Sequence, residues 1–84
     1  MLKIEFSNNS ERFLKNCDNE LYDRITERIK ELALNPYPKD RKKVEGRKDK
    51  VFRVRVGNYR ILYIIADENN TLIISDIDKR GRVY

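Results

Sequence analysis

The sequence predicts an α+β domain: a short N-terminal strand, an antiparallel hairpin of two helices, and an antiparallel meander against which the hairpin packs. Two patterns carry this. Leu21, Ile25, Ile29 and Leu32 recur at helical spacing. Phe52, Val54 and Val56 alternate with Val51, Arg53 and Arg55 at strand spacing, and a Gly57-Asn58 pair separates them from a second apolar run. Length supplies the third observation. Eighty-four residues make one domain, 1–84, because so short a chain buries only about 60–65% of its unfolded surface and supports one core.

The elements follow in order. Leu2, Ile4 and Phe6 alternate with Lys3 and Glu5, a strand with one buried face. Ser7-Asn8-Asn9-Ser10-Glu11 offers several caps, and Asn8 with Glu11 has capping-box spacing for a helix that buries Phe13, Leu14 and Cys17. Asp18 caps a second helix whose buried stripe is Leu21, Tyr22, Ile25, Ile29, Leu32 and Ala33. Asn35-Pro36-Tyr37-Pro38 stops it, since proline has no amide to donate and disfavours a helical residue before it. Val44 lies in a short basic segment of strand character. Gly57-Asn58 suits a two-residue type II′ turn, with glycine where φ is positive. Tyr59 to Ala66 is apolar on both faces and reads as the central strand; Asp67-Glu68-Asn69-Asn70 turns the chain and Thr71 to Ile77 returns.

Composition excludes several classes of chemistry. Charged residues make up 39% of the chain, and its longest apolar run, Ile61 to Ala66, is far below the roughly 20 residues of a membrane span. The alternating N-terminus does not read as a signal peptide. The single cysteine, Cys17, reads as a small buried hydrophobe in a reducing cytoplasm. There is no histidine, which removes the usual zinc sites, the Ser-His and Cys-His pairs and the commonest general base. No metal or cofactor is expected.

The surplus charge is local. Residues 39–60 carry ten basic and three acidic side chains, whereas 1–38 and 61–84 each have a net charge of −1. A basic stripe on a near-neutral body is the footprint of a polyanion binder. A two-residue turn at 57–58 sets Val56 opposite Tyr59, Arg55 opposite Arg60, Val54 opposite Ile61 and Phe52 opposite Tyr63. Opposed side chains share a face. Tyr59 and Tyr63 therefore join the apolar, helix-facing side as packing residues, and Arg53, Arg55 and Arg60 project together from the other. Opposed like charges call for an anion; the plainer alternative is that each arginine is solvated or pairs with a carboxylate such as Asp76 or Asp78.

The segment Arg53-Val54-Arg55-Val56-Gly57-Asn58-Tyr59-Arg60-Ile61-Leu62-Tyr63 resembles the central signature of the RelE/ParE toxin superfamily. Val44-Glu45-Gly46 is similar to the Leu-x-Gly found upstream of it, and Asp78-Lys79-Arg80-Gly81-Arg82-Val83-Tyr84 to the basic, tyrosine-ended tail of RelE-like members. The resemblance implies a RelE-like fold and a cytoplasmic toxin of a type II toxin–antitoxin system. It further implies a metal-independent endoribonuclease that cuts mRNA in the ribosomal A site by attack of a ribose 2′-OH. By the same resemblance Arg60 holds the scissile phosphate, Arg80 stands at the leaving group, Arg53 assists at the nucleophile and Tyr84 stacks on a base. Arg55, Lys42, Lys43, Arg47, Lys48 and Arg82 are expected to grip RNA. Implied partners are a RelB-like antitoxin, the ribosome and mRNA, with no membrane; the toxin alone is expected to be a monomer. Two alternatives share the fold: a ParE-like inhibitor of DNA gyrase, and an inactive antitoxin-binding module.

Overall fold

A computed structural model describes residues 1–46 and 50–79. Strand β1 (Lys3–Phe6) leads into helices α1 (Asn8–Asn16) and α2 (Asn19–Leu34), followed by strands β2 (Lys42–Lys43), β3 (Val51–Val56), β4 (Tyr59–Ala66) and β5 (Thr71–Lys79). The strands form one sheet in the order β1-β5-β4-β3-β2. The α+β expectation holds, with one refinement: the sheet is mixed, because β1 pairs parallel to β5 while all other neighbours are antiparallel. The meander leaves the outer ladder of β5 open, and β1 fills it.

Both helices start on side-chain caps. Ser7 Oγ accepts from the Ser10 amide at 3.1 Å, and Asp18 Oδ1 from the Leu21 amide at 2.8 Å. The first cap is thus Ser7, one residue before the predicted Asn8. Its hydroxyl also donates to Ser75 O at 2.7 Å, a long-range anchor that local spacing does not encode. Leu21, Ile25, Ile29, Leu32 and Ala33 of α2 pack against Val54, Ile61, Tyr63, Leu72, Ile74 and Ile77 of the sheet. Tyr22 departs from the predicted stripe. It is 45% exposed, at the stripe's margin, where it flanks β1. Phe13, Leu14 and Cys17 are only half-buried, since α1 covers the margin of the core.

The β3–β4 register is the one the turn predicts, from Val56–Tyr59 to Phe52–Tyr63. Gly57 has φ +58°, and Asn58 is not in the positive-φ region, as a type II′ turn requires. The β4–β5 ladder breaks register between Leu62 and Tyr63: Leu62 faces Asp76 but Tyr63 faces Ile74, so Ser75 is a bulged extra residue. Around the bulge, Ile74 O accepts from the Ser7 amide at 3.0 Å and from Ser10 Oγ at 2.9 Å. The bulge therefore seats the start of α1 on the sheet, and Ser10 is fully buried there.

Candidate active site

The sheet positions the basic side chains in cross-strand rows on one face. One row runs Arg55–Arg60–Asp78 across β3, β4 and β5. The next runs Lys42–Arg53–Leu62–Asp76 across β2 to β5. Arg55, Lys42 and Lys43 are exposed, while Arg53 and Arg60 are partly sunk. An open cleft of about 1300 Å³ is lined by Arg53, Arg60, Lys43, Asp76 and Asp78 of the sheet and by Arg12 of α1.

Arg60 corrects the expectation of three arginines lacking an anion. Its Nε donates to Asp78 Oδ1 and its Nη2 to Asp78 Oδ2, both at 3.0 Å. The side chains are 15% and 21% exposed, so this fork-on-carboxylate pair is far better shielded than a typical surface bridge. Among the described residues, Arg53 and Arg55 have no ion-pair partner. Asp76 Oδ1 instead accepts from the Ile77 amide at 2.9 Å.

The rest of the basic stripe divides by role. Arg41 is structural: its guanidinium lies 5.3 Å from the Tyr37 ring centroid and 5.5 Å from that of Phe52, and it donates to Pro38 O at 3.2 Å. Arg28 Nη2 clamps Asp40 at 2.8 and 2.9 Å. Tyr63 is fully buried, as its packing role requires, and its hydroxyl donates to Pro36 O at 2.9 Å. Tyr59 meets Phe13 edge-on, with centroids 5.6 Å apart. Cys17 is half-buried at the end of α1 rather than inside the core. Burial pushes its thiol pKa up, and Sγ donates to Leu14 O at 3.4 Å. A thiol so placed is a poor nucleophile. Arg47, Lys48, Arg80, Arg82 and Tyr84 lie outside the described residues. Arg12 escaped the sequence reading because it sits in a near-neutral stretch, and only the fold brings it to the cleft.

Residues 4–84 match the family described as ParE toxin of the type II toxin–antitoxin system parDE. The chain belongs to the RelE/ParE toxin superfamily. A relative from Methanocaldococcus jannaschii named "Putative toxin RelE1" is 32% identical over 74 residues, spanning 84% of this chain and 81% of that one. The archaeal RelE–RelB complex from Pyrococcus horikoshii contains a chain that superposes with a TM-score of 0.81 at 26% identity, covering 98% of both chains. The isolated Escherichia coli RelE toxin superposes at 0.83 over 99% of this chain and 88% of its own; at 15% identity this speaks for the fold alone. The protein is therefore a RelE-like toxin of a toxin–antitoxin system. Among the described residues no helix is long and apolar enough to cross a membrane.

Proposed function

We propose that this toxin is a ribosome-dependent endoribonuclease that cleaves mRNA in the A site and so stops translation. The supporting observation is the sheet face on which Arg53, Arg55 and Arg60 gather, two of them at the wall of an open cleft. The 2′-oxygen of a ribose attacks the adjacent phosphorus, the bond from phosphorus to the 5′-oxygen breaks, and the products are a 2′,3′-cyclic phosphate and a 5′-OH. Arg60 stabilises the charge that grows on the phosphoryl oxygens. Arg80, carried over from the family resemblance, does the same at the leaving oxygen, and Tyr84 stacks on a base. A guanidinium is a poor proton acceptor, so the role of Arg53 is to contribute charge rather than to act as base. The 2′-OH proton passes to solvent, solvent returns a proton to the departing 5′-oxygen, and the ribosome aligns the attack. Arg55, Lys42, Lys43, Arg47, Lys48 and Arg82 hold the flanking phosphates.

In the resting cell a RelB-like antitoxin masks this face. Its wrapping segment is amphipathic, covers exposed apolar side chains such as Phe6 and Tyr22, and brings carboxylates to the basic stripe. The solved complexes of RelE with RelB support this partner.

The test mixes purified protein with programmed ribosomes. Fragments ending in 2′,3′-cyclic phosphate are expected, and Arg60→Ala or Arg80→Ala should each cost on the order of 2–4 kcal/mol in the rate. The family match, whose description is that of ParE, gives the second reading, inhibition of DNA gyrase. Intact mRNA together with trapped gyrase–DNA complexes would select it.

A further inference from the structure

The residue opposite Arg60 is set by the bulge. On the far side of Ser75 the ladder pairs Tyr63 with Ile74; carried on without an extra residue, that register would set Ile77 opposite Arg60 and Asp78 opposite Tyr59. A one-residue slip exchanges the two faces of a strand. Asp78 would then sit on the helix-facing side, with no route to the arginine. The extra residue returns it to Arg60's face, directly across the ladder, at 3.0 Å through both oxygens. Bulges beside active sites commonly re-aim one side chain in this way.

We propose that Asp78 is the positioning residue of the cleft, fixing the plane of the Arg60 guanidinium at the expense of anion affinity; this rests on the cleft being the phosphate site. Arginine ends a long, flexible stem, and Arg55 opposite repels it. Two points of attachment to one carboxylate fix the guanidinium plane before substrate arrives, and such preorganisation gives a charge-stabilising group its effect on rate. The pair engages two of the five N–H donors that the guanidinium has. Its negative charge also weakens the local attraction for phosphate. Binding and turnover are therefore opposed through one side chain.

The experiment compares the parent with Asp78→Asn in three measurements. The Arg60 Nε–H resonance, assigned by its loss in Arg60→Lys, should exchange with water faster in Asp78→Asn. Affinity for a short single-stranded oligodeoxyribonucleotide, which lacks the 2′-OH and is not cut, should tighten several-fold. Cleavage at saturating programmed ribosomes should slow by about tenfold or more. An unchanged Nε–H signal, or a saturated rate equal to or above the parent's, overturns the proposal. If Asp78→Asn does not fold, Asp78→Glu carries the test. It keeps the charge on a longer arm, so the rate should fall while affinity stays at the parent value, and a parental rate overturns the proposal. Should the parent itself cut no mRNA, the ribonuclease reading fails, and the resonance and affinity measurements still decide whether Asp78 holds Arg60.

Discussion

Arg55 and Arg60 stand directly opposite each other across the β3–β4 ladder, and of the two only Arg60 lies against a carboxylate of the described chain. Opposed like charges cost a sheet some tenths of a kcal/mol. Arg55 is exposed, so its removal opens no cavity. Arg55→Thr should therefore melt slightly above the parent, by a few tenths of a kcal/mol. It should also bind RNA more weakly, with a slope of log affinity against log salt shallower by about 0.7. A lower melting temperature would mean that Arg55 supports the fold.

Lys42 and Lys43 sit exposed on the edge strand β2, with Lys42 opposite Arg53 and Lys43 at the cleft. Changing both to Gln should flatten the salt slope by about 1.4 and weaken binding, while saturated cleavage stays near the parent rate. Arg60→Lys should do the reverse: it keeps the charge, loses the planar fork, leaves the slope and damages the rate. Exchanged outcomes would place the chemistry on the wrong strand.

Tyr63 ties the sheet to the loop after α2 through its bond to Pro36 O. Tyr63→Phe should cost about 1 kcal/mol by orphaning that carbonyl. Burial pushes the phenol from an ordinary pKa of 10.0 up to about 12, although Arg41 and Arg28 pull the other way. The unfolded chain gives up this proton near pH 10 while the fold retains it. Stability tied to Tyr63 is thus whole below pH 10 and is lost as pH climbs towards 12. Denaturant titrations across that window should fall less steeply for Tyr63→Phe, and equal slopes would show a phenol that titrates alike in both states.

Gly57 has φ +58°, and a Cβ there would come within 2.7 Å of Arg24 Nη2. The arginine tip can swing aside; the backbone angle cannot. Gly57→Ala should lose about 1–2 kcal/mol, and adding Arg24→Ala should recover little of it. Full recovery in the double variant would assign the cost to the contact instead.

What the chain reveals before folding tracks how local each determinant is. The β3–β4 pairing was legible because a two-residue turn fixes register by itself, and α2 because Asp18 caps it and Pro36 stops it. The β1–β5 pairing was not, since four alternating residues carry no address for a strand far along the chain. The bulge at Ser75 was equally silent: nothing in Ile74-Ser75-Asp76 marks an extra residue, yet it decides which face Asp78 takes. The arginine row was therefore read correctly as a row. The carboxylate against it was named only as one alternative.

The parallel pairing places Lys3 beside Thr71, sixty-eight positions later. During synthesis at about 5–20 residues per second, β1 waits roughly 3 to 14 seconds for its partner. The start of α1 waits too, because its serines bond to the carbonyls of Ile74 and Ser75. Asp78 emerges later still, so Arg60 exists for a time in a chain that has neither a closed sheet nor a finished cleft. For a toxin the order matters: until β5 is added, the chain holds only the separate parts of its cleft.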